Sequence, residues 1–392
     1  MRTSDERRLP VPADGVSPHR DAAVRNAIAL VRLWTAEAPV LVWDATRVVD
    51  RHGLDRIPGH RTTPIVAAIV AAAGATMPHF SLPADARAWS TADAMATLTD
   101  VEIDRVTASR VVSREGACIA RAGTAGVGGQ LPWTRAADDA HLVASALSRR
   151  LAAGIAHLLI NVTVGRAAAV PDDARLHRLQ DLFAAVGAAV GLRVRIARSA
   201  GSQPVGLGVG PAPEALDVLA VLRGAAAAPV DLRMRALAEA GQLLEMCGRS
   251  RPGHGEADAR QLLDSGVAWS RFQAICEAQG GFREPTLAPH VETVTADQAG
   301  YVRSLDGAHV QRVAVLAGAP CGTGAGIVLH TRIGDRVERG QPLFTVHAAS
   351  EGQRAAVVDD LRHIPLVAVI GDAALIFGDA DAKHLKTWRT DR

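Results

Sequence analysis

The stretch Thr46–Thr63, TRVVDRHGLDRIPGHRTT, gathers the residue types that could hold an anion. Arg51 and His52 supply cationic or donor groups, and Thr62 and Thr63 supply hydroxyls. Gly53 and Gly59 let the backbone come close to a ligand. The β-branched run around Val48 and Val49 suits a strand, and Pro64 opens an apolar helical run to Ala73. Backbone N–H groups and the positive end of that helix would face the loop. This strand-loop-helix joint could hold an anion, although most such joints bind nothing.

Three more segments carry candidate chemistry. Ser81–Thr91, SLPADARAWST, sets hydroxyls ahead of a helix, where capping is their ordinary role. Leu142–Gly154, LVASALSRRLAAG, is an amphipathic helix with Ser145 and Arg149 one turn apart on one face, although its arginines also suit a solvated face. The segment GTAGVGGQLPWTRAADDAH holds one arginine, Arg135, in a loop where cations are ordinarily solvated.

These segments resemble the thymidine phosphorylase and AMP phosphorylase family, whose phosphate loop reads KHSxGGVPGNRTT. Arg51 stands for its lysine and His52 for its histidine, and Pro58, Gly59, Arg61, Thr62 and Thr63 match. Gly53 replaces the serine, and Asp55 and Arg56 replace two glycines. Ser81, Thr91, Ala92, Asp93 and Met95 fall in register with the family segment SSRAITSPAGTADTM. Ser145 and Arg149 stand at the base-contacting serine and lysine of LVASxLSKKxAAG. With 41 Arg and only 2 Lys in the chain, arginine for lysine follows a general preference, but a planar fork is not an ammonium.

The resemblance implies phosphorolysis of a nucleoside to a free base and a pentose 1-phosphate, without metal or organic cofactor. It implies catalytic roles for His52, Arg149 and Arg135, phosphate on Arg51, Thr62, Ser81 and Thr91, and the base on His52, Ser145 and Arg149. Inorganic phosphate and a nucleoside or nucleotide are the implied partners, and a homodimer the implied assembly. Gly53, Asp55 and Arg56 keep two alternatives open: a nucleoside monophosphate as substrate, or a nucleotide- or sugar-phosphate-binding relative that has lost phosphorolysis. An Asp55 carboxylate turned towards phosphate would oppose its binding.

The elements that must position these residues alternate. Helical spacing runs over Asp21–Glu37, His141–Ile155 and Asp172–Val190, with strands expected near Met77–Ser81, His157–Val164 and Leu192–Ala197. Thr91–Leu98 reads as a helix, and Val101–Ala120, rich in β-branched residues, as strands. Helices follow at Glu214–Arg223, Asp231–Cys247 and Glu256–Asp264, then short strands with Gly turns, including Gly326–Ala348. The fold class expected is α/β, with a mostly parallel sheet. With the resemblance, the division is a small all-helical domain (1–45 with 136–156), a large α/β phosphate-binding domain (46–135 with 157–286), and a C-terminal α+β, barrel-sandwich-like domain (287–392).

Composition sets the outer limits. At 392 residues and 48% hydrophobic, the chain can bury two or three cores. A net charge of +2, from 43 basic and 41 acidic residues, gives no polyanion-binding balance, so neither nucleic acid nor an anionic membrane is expected as a partner. MRTSDERRLP lacks the apolar stretch of a secretory signal. Cys118, Cys247, Cys276 and Cys321 are widely separated, and read as buried thiols of a cytoplasmic protein.

Overall fold

The computed structural model describes residues 18–36, 41–43, 47–54, 59, 61–81, 89–127, 138–165, 168–363 and 366–370. In chain order these form α1 (Pro18–Thr35), β1 (Val49–Leu54), α2 (Thr62–Ala72), β2 (Met77–Ser81), α3 (Thr91–Met95), α4 (Arg105–Glu115), β3 (Ala117–Arg121), α5 (Asp139–Ala152), β4 (His157–Val164), α6 (Asp173–Ala189) and β5 (Arg193–Ala200). Then come β6 (Gly208–Val209), α7 (Pro211–Leu222), α8 (Val230–Met246), α9 (Gly255–Asp264) and α10 (Val267–Gln279). The C-terminal part contains β7 (His290–Thr295), β8 (Gly300–Leu305), α11 (Gly307–Leu316), β9 (Gly326–Leu329), β10 (Arg336–Val337), β11 (Pro342–Ala348), α12 (Glu351–His363) and β12 (Val367–Ile370).

The α/β class holds. β1, β4 and β5 pair in parallel in the order β1-β4-β5, and β2 pairs in parallel with β3. A parallel bridge between Val48 and Thr76, with Val49 N–H donating to Thr76 O (2.8 Å), joins the two sets. The five strands therefore run β3-β2-β1-β4-β5, a doubly wound order that reverses direction at β1 and β4. In such sheets ligands bind outside the carboxyl ends of the strands at that reversal. Arg51 and His52 lie on β1 beside that reversal, in the middle of the strand.

Strand alternation divides the core into two layers. Val49, Met77, Ile119 and Leu159 pack on one face with α2 and α7 to α10, while Val48, Cys118, Leu158 and Ile160 pack on the other with α1, α5 and α6. α2 is apolar on every side, TTPIVAAIVAA, and all but its last residue are buried, as such a helix must be.

Two expectations are corrected. Val101–Ala120 is mostly helix: α4 begins where Asp104 accepts from Thr107 N–H (2.8 Å), and ends at left-handed Gly116. Ala108, Val111 and Val112 are its buried face, at the i, i+3, i+4 spacing that outweighs β-branched composition. Cys321 is exposed, whereas Cys118, Cys247 and Cys276 are buried.

A third core joins β6 to the antiparallel sheet β6-β9-β11-β7 and the smaller sheet β10-β8-β12, flanked by α11 and α12. β6 thus ties the Gly-rich segment ahead of α7 to the C-terminal part, and Arg332 adds a bond to Pro204 O (2.9 Å). No helix among the described residues is long and apolar enough to cross a membrane.

Candidate functional site at the strand-order reversal

Beyond Val48 the ladder between β1 and β2 stops, and a side-chain pair spans the two strands. His79 Nδ1–H donates to Asp50 Oδ1 (2.7 Å), and Arg150 Nε, from α5, donates to Asp50 Oδ2 (3.1 Å). All three residues are buried. Burial would raise the Asp50 carboxyl, but His79 and then Arg150 outweigh it and hold its pKa below the ordinary 3.8. Arg150 reaches on to Arg51 O (3.4 Å) and His52 Nδ1 (3.3 Å). α5 is thereby fastened to the middle of β1, and His52 receives a donor at Nδ1, which leaves the proton of a neutral imidazole on Nε2.

Arg149, one residue earlier, donates to Ser145 Oγ (2.8 Å). Burial first, and the like charge of Arg150 second, lower its pKa to about 10. With Asp50, Phe80, Ala122, Val127, Arg150 and Ala153 it lines a void of about 10 Å³, room for one water. The expected base-binding residues are thus gathered over the sheet, Ser145 on Arg149 and His52 on Arg150.

The four expected phosphate contacts form two pairs. Ser81, at the end of β2, accepts from Ala92 N–H (3.2 Å) in the first turn of α3, next to Thr91. Ser90 caps the same helix with Asp93, which Arg121 holds at 2.6 Å. Arg51 and Thr62 instead converge on Glu239 of α8. Thr62 Oγ1 donates to Glu239 Oε2 (2.6 Å), and Arg51 donates through NH2 to Oε1 (3.3 Å). Arg51 Nε lies 2.9 Å from Oε2, an ion-pair contact off the hydrogen-bond direction. Arg51 NH1 donates to Thr63 Oγ1 (2.9 Å). Asn161 Nδ2 of β4 also donates to Glu239 Oε1, and its Oδ1 accepts from Ser199 Oγ (2.7 Å).

The loops after β1 and β2 share one anchor. Arg61 donates to Trp89 O (2.8 Å) and its Nε contacts the Glu214 carboxylate of α7. Trp89 Nε1–H donates to the same carboxylate (2.7 Å), and so does Gly210 N–H (3.2 Å). Burial raises the Glu214 pKa, against the opposing charge of Arg61. Gly59, at φ +80°, bridges to Val205, and a Cβ there would stand 2.3 Å from Val205 O.

Residues 301–364 match the family described as pyrimidine nucleoside phosphorylase C-terminal domain. Over 338 residues the chain is 47% identical to "Putative thymidine phosphorylase 1" of Cupriavidus necator, covering 84% of this chain and 65% of that protein. It is 45% identical over 338 residues to "Putative thymidine phosphorylase" of Ralstonia nicotianae, covering 84% of this chain and 67% of that one. The chain belongs to the thymidine phosphorylase family. It spans about two thirds of the length of these relatives. The crystal structure of anthranilate phosphoribosyltransferase from Thermus thermophilus shares the fold, at a TM-score of 0.51 and 16% identity, over 64% of this chain and 84% of that one.

Arg135, Asp55 and Arg56 lie outside the described residues. Asp138 caps α5 by accepting from His141 N–H (2.9 Å), and Asp139 pairs with Arg175 (2.9 Å). Sequence reasoning missed Asp50, Asn161, Glu214 and Glu239, and gave Arg150 no role. Glu239 carried one usable signal. It falls on the buried stripe of α8, between Ala236 and Leu243, where a carboxylate needs a partner.

Proposed function

We propose that this thymidine phosphorylase family member cleaves a nucleoside by phosphorolysis, a pentosyl transfer. The observation that carries the reading is the place of Arg51 and His52, on β1 where the strand order reverses, with Ser145, Arg149 and Arg150 gathered above. A phosphate oxygen forms a bond to the anomeric carbon as the glycosidic C–N bond breaks, and the electron pair of that bond passes to the base. Charge develops on the base, so donors fixed in advance lower the barrier. His52 Nε2–H and the Arg149 guanidinium serve that role, with Ser145 and Arg150 orienting them, and Arg135 is a further proposed donor. Ser81, Thr91, Thr62 and Arg51 are the proposed phosphate ligands, and holding both substrates in one cleft supplies proximity.

The void beside Arg149 and Arg150, about 10 Å³, is far smaller than a nucleoside, and the proposed reading includes a movement of α5 away from the sheet to admit substrate. The proposed moving part is 1–45 with 136–156, and the proposed assembly a homodimer. One observation favours a second reading, a nucleotide- or sugar-phosphate-binding relative without phosphorolysis: Glu239 and Thr63 hold the Arg51 guanidinium, so the proposed ligand of the attacking phosphate is already engaged. The experiment is a screen of nucleosides and nucleoside 5′-monophosphates for release of free base with and without phosphate. Phosphate-dependent release, lost in His52→Ala, is expected. Absence of release from every substrate favours the second reading.

A further inference from the structure

Glu239 is 2% exposed, and both of its oxygens are engaged. Oε1 accepts from Arg51 NH2 and Asn161 Nδ2, and Oε2 accepts from Thr62 Oγ1 and faces Arg51 Nε. Those partners are themselves buried: Arg51 at 5%, Thr62 at 0% and Asn161 at 2% exposure. A guanidinium fork, a hydroxyl in the first turn of a helix and an amide are the donors an oxyanion calls for. A carboxylate and a phosphate offer such a fork the same pair of oxygens. Glu239 reaches this position from the middle of α8, along the stripe that otherwise carries Ala236, Ala240 and Leu243. An apolar residue would pack there without taking a charge out of water, so the carboxylate answers to Arg51 and Thr62 and not to the core.

We propose that Glu239 is an internal anion that occupies the Arg51–Thr62 half of the phosphate site, so that phosphate engages Arg51 only by displacing it. The proposal rests on the phosphorolysis reading and names the residue that controls access to that site. Ser81 and Thr91 form the half that Glu239 does not touch, so the incoming anion meets hydroxyls first. Exchange of Arg51 from carboxylate to phosphate then completes the site. Affinity for phosphate is reduced by whatever holds the internal pair together.

Titration calorimetry of the full chain with inorganic phosphate tests this. Glu239→Gln keeps the shape and an acceptor while removing the charge, and should bind phosphate about tenfold more tightly or better, as expected when one like charge leaves a desolvated site. Arg51→Ala in the Glu239→Gln background should erase that gain. Glu239→Leu should melt at a lower temperature without phosphate, because Arg51 is then buried unpaired, and should recover more than the wild type when phosphate is added. If Glu239→Gln does not fold, Glu239→Asp withdraws the carboxylate by one methylene and should show a smaller gain in the same direction. Wild type and charge-removed variants that bind phosphate equally, while the wild type releases base, would overturn the internal-anion role and leave phosphorolysis standing. No phosphate binding by any form, with no base release from the wild type, would overturn both.

Discussion

Asp50→Asn is the substitution whose effect follows most directly from the geometry. Asp50 is 1% exposed and holds His79 at 2.7 Å and Arg150 at 3.1 Å, with Arg51 N–H donating to it at 2.8 Å. The amide keeps the shape and one acceptor but leaves Arg150, itself 5% exposed, without its counter-charge. Breaking a buried pair from one side typically costs about 3–5 kcal/mol, and that is the expected loss. Arg150→Met should cost a similar amount by leaving the carboxylate with His79 alone. The double variant should fall short of the sum by about 1–3 kcal/mol, because each change removes the same interaction. Hydrogen exchange at the β1 amides reads the opening of the sheet separately from the C-terminal sheets. Acid supplies a second arm. The folded carboxyl titrates below its unfolded value near 3.8, so its contribution is complete above that value and disappears as pH falls through the folded one. Asp50→Asn should lack that acid-dependent loss. A cost under about 1 kcal/mol, or strict additivity in the double variant, would refute the assignment of Asp50 as the charge that fastens α5 to β1.

Three further outcomes are expected. Arg149→Ala should lower the kcat of base release by about 100- to 1,000-fold, the size found when a transition-state donor is lost, with partial recovery in Arg149→Lys. Gly59→Ala should cost about 1–3 kcal/mol in urea unfolding from the left-handed φ alone, and more if Val205 does not yield. Burial raises Asp217 to about 7 although Leu207 and Gly208 N–H donate to it at 2.6 and 2.7 Å. Folding therefore favours its protonated form, and stability should fall as pH rises from about 4 towards 7, a slope that Asp217→Asn should flatten in denaturation curves taken across that range.

The strands of the α/β body were legible because parallel strands covered on both faces read as continuous apolar runs, as His157–Val164 does. Val101–Ala120 misled because Val and Thr raise strand propensity whatever their spacing, while the Asp104 cap and Gly116 stop lie at its margins. α10, VAWSRFQAICEAQ, went unread because its low amphipathicity offers little periodicity. At the site, Arg51, His52, Ser145 and Arg149 stood out through local motifs. Their counter-charges did not: Glu239 is 188 positions from Arg51, and Glu214 is 125 from Trp89. The apolar stripe of ALAEAGQLLEM marks Glu239 as a carboxylate in need of a partner, but only the fold shows that the partner is Arg51.

The Arg61–Glu214–Trp89 anchor has a kinematic consequence. It ties Arg61 and Trp89, which stand just ahead of α2 and α3, to one carboxylate on α7, and α7 is joined through β6 to the C-terminal sheet. The two hydroxyl-bearing helix starts, at Thr62 and Thr91, are thereby referred to one residue of α7. A change in the tilt of α7 would carry both along together, which makes Glu214 a lever on the geometry of both helix starts of the proposed phosphate site.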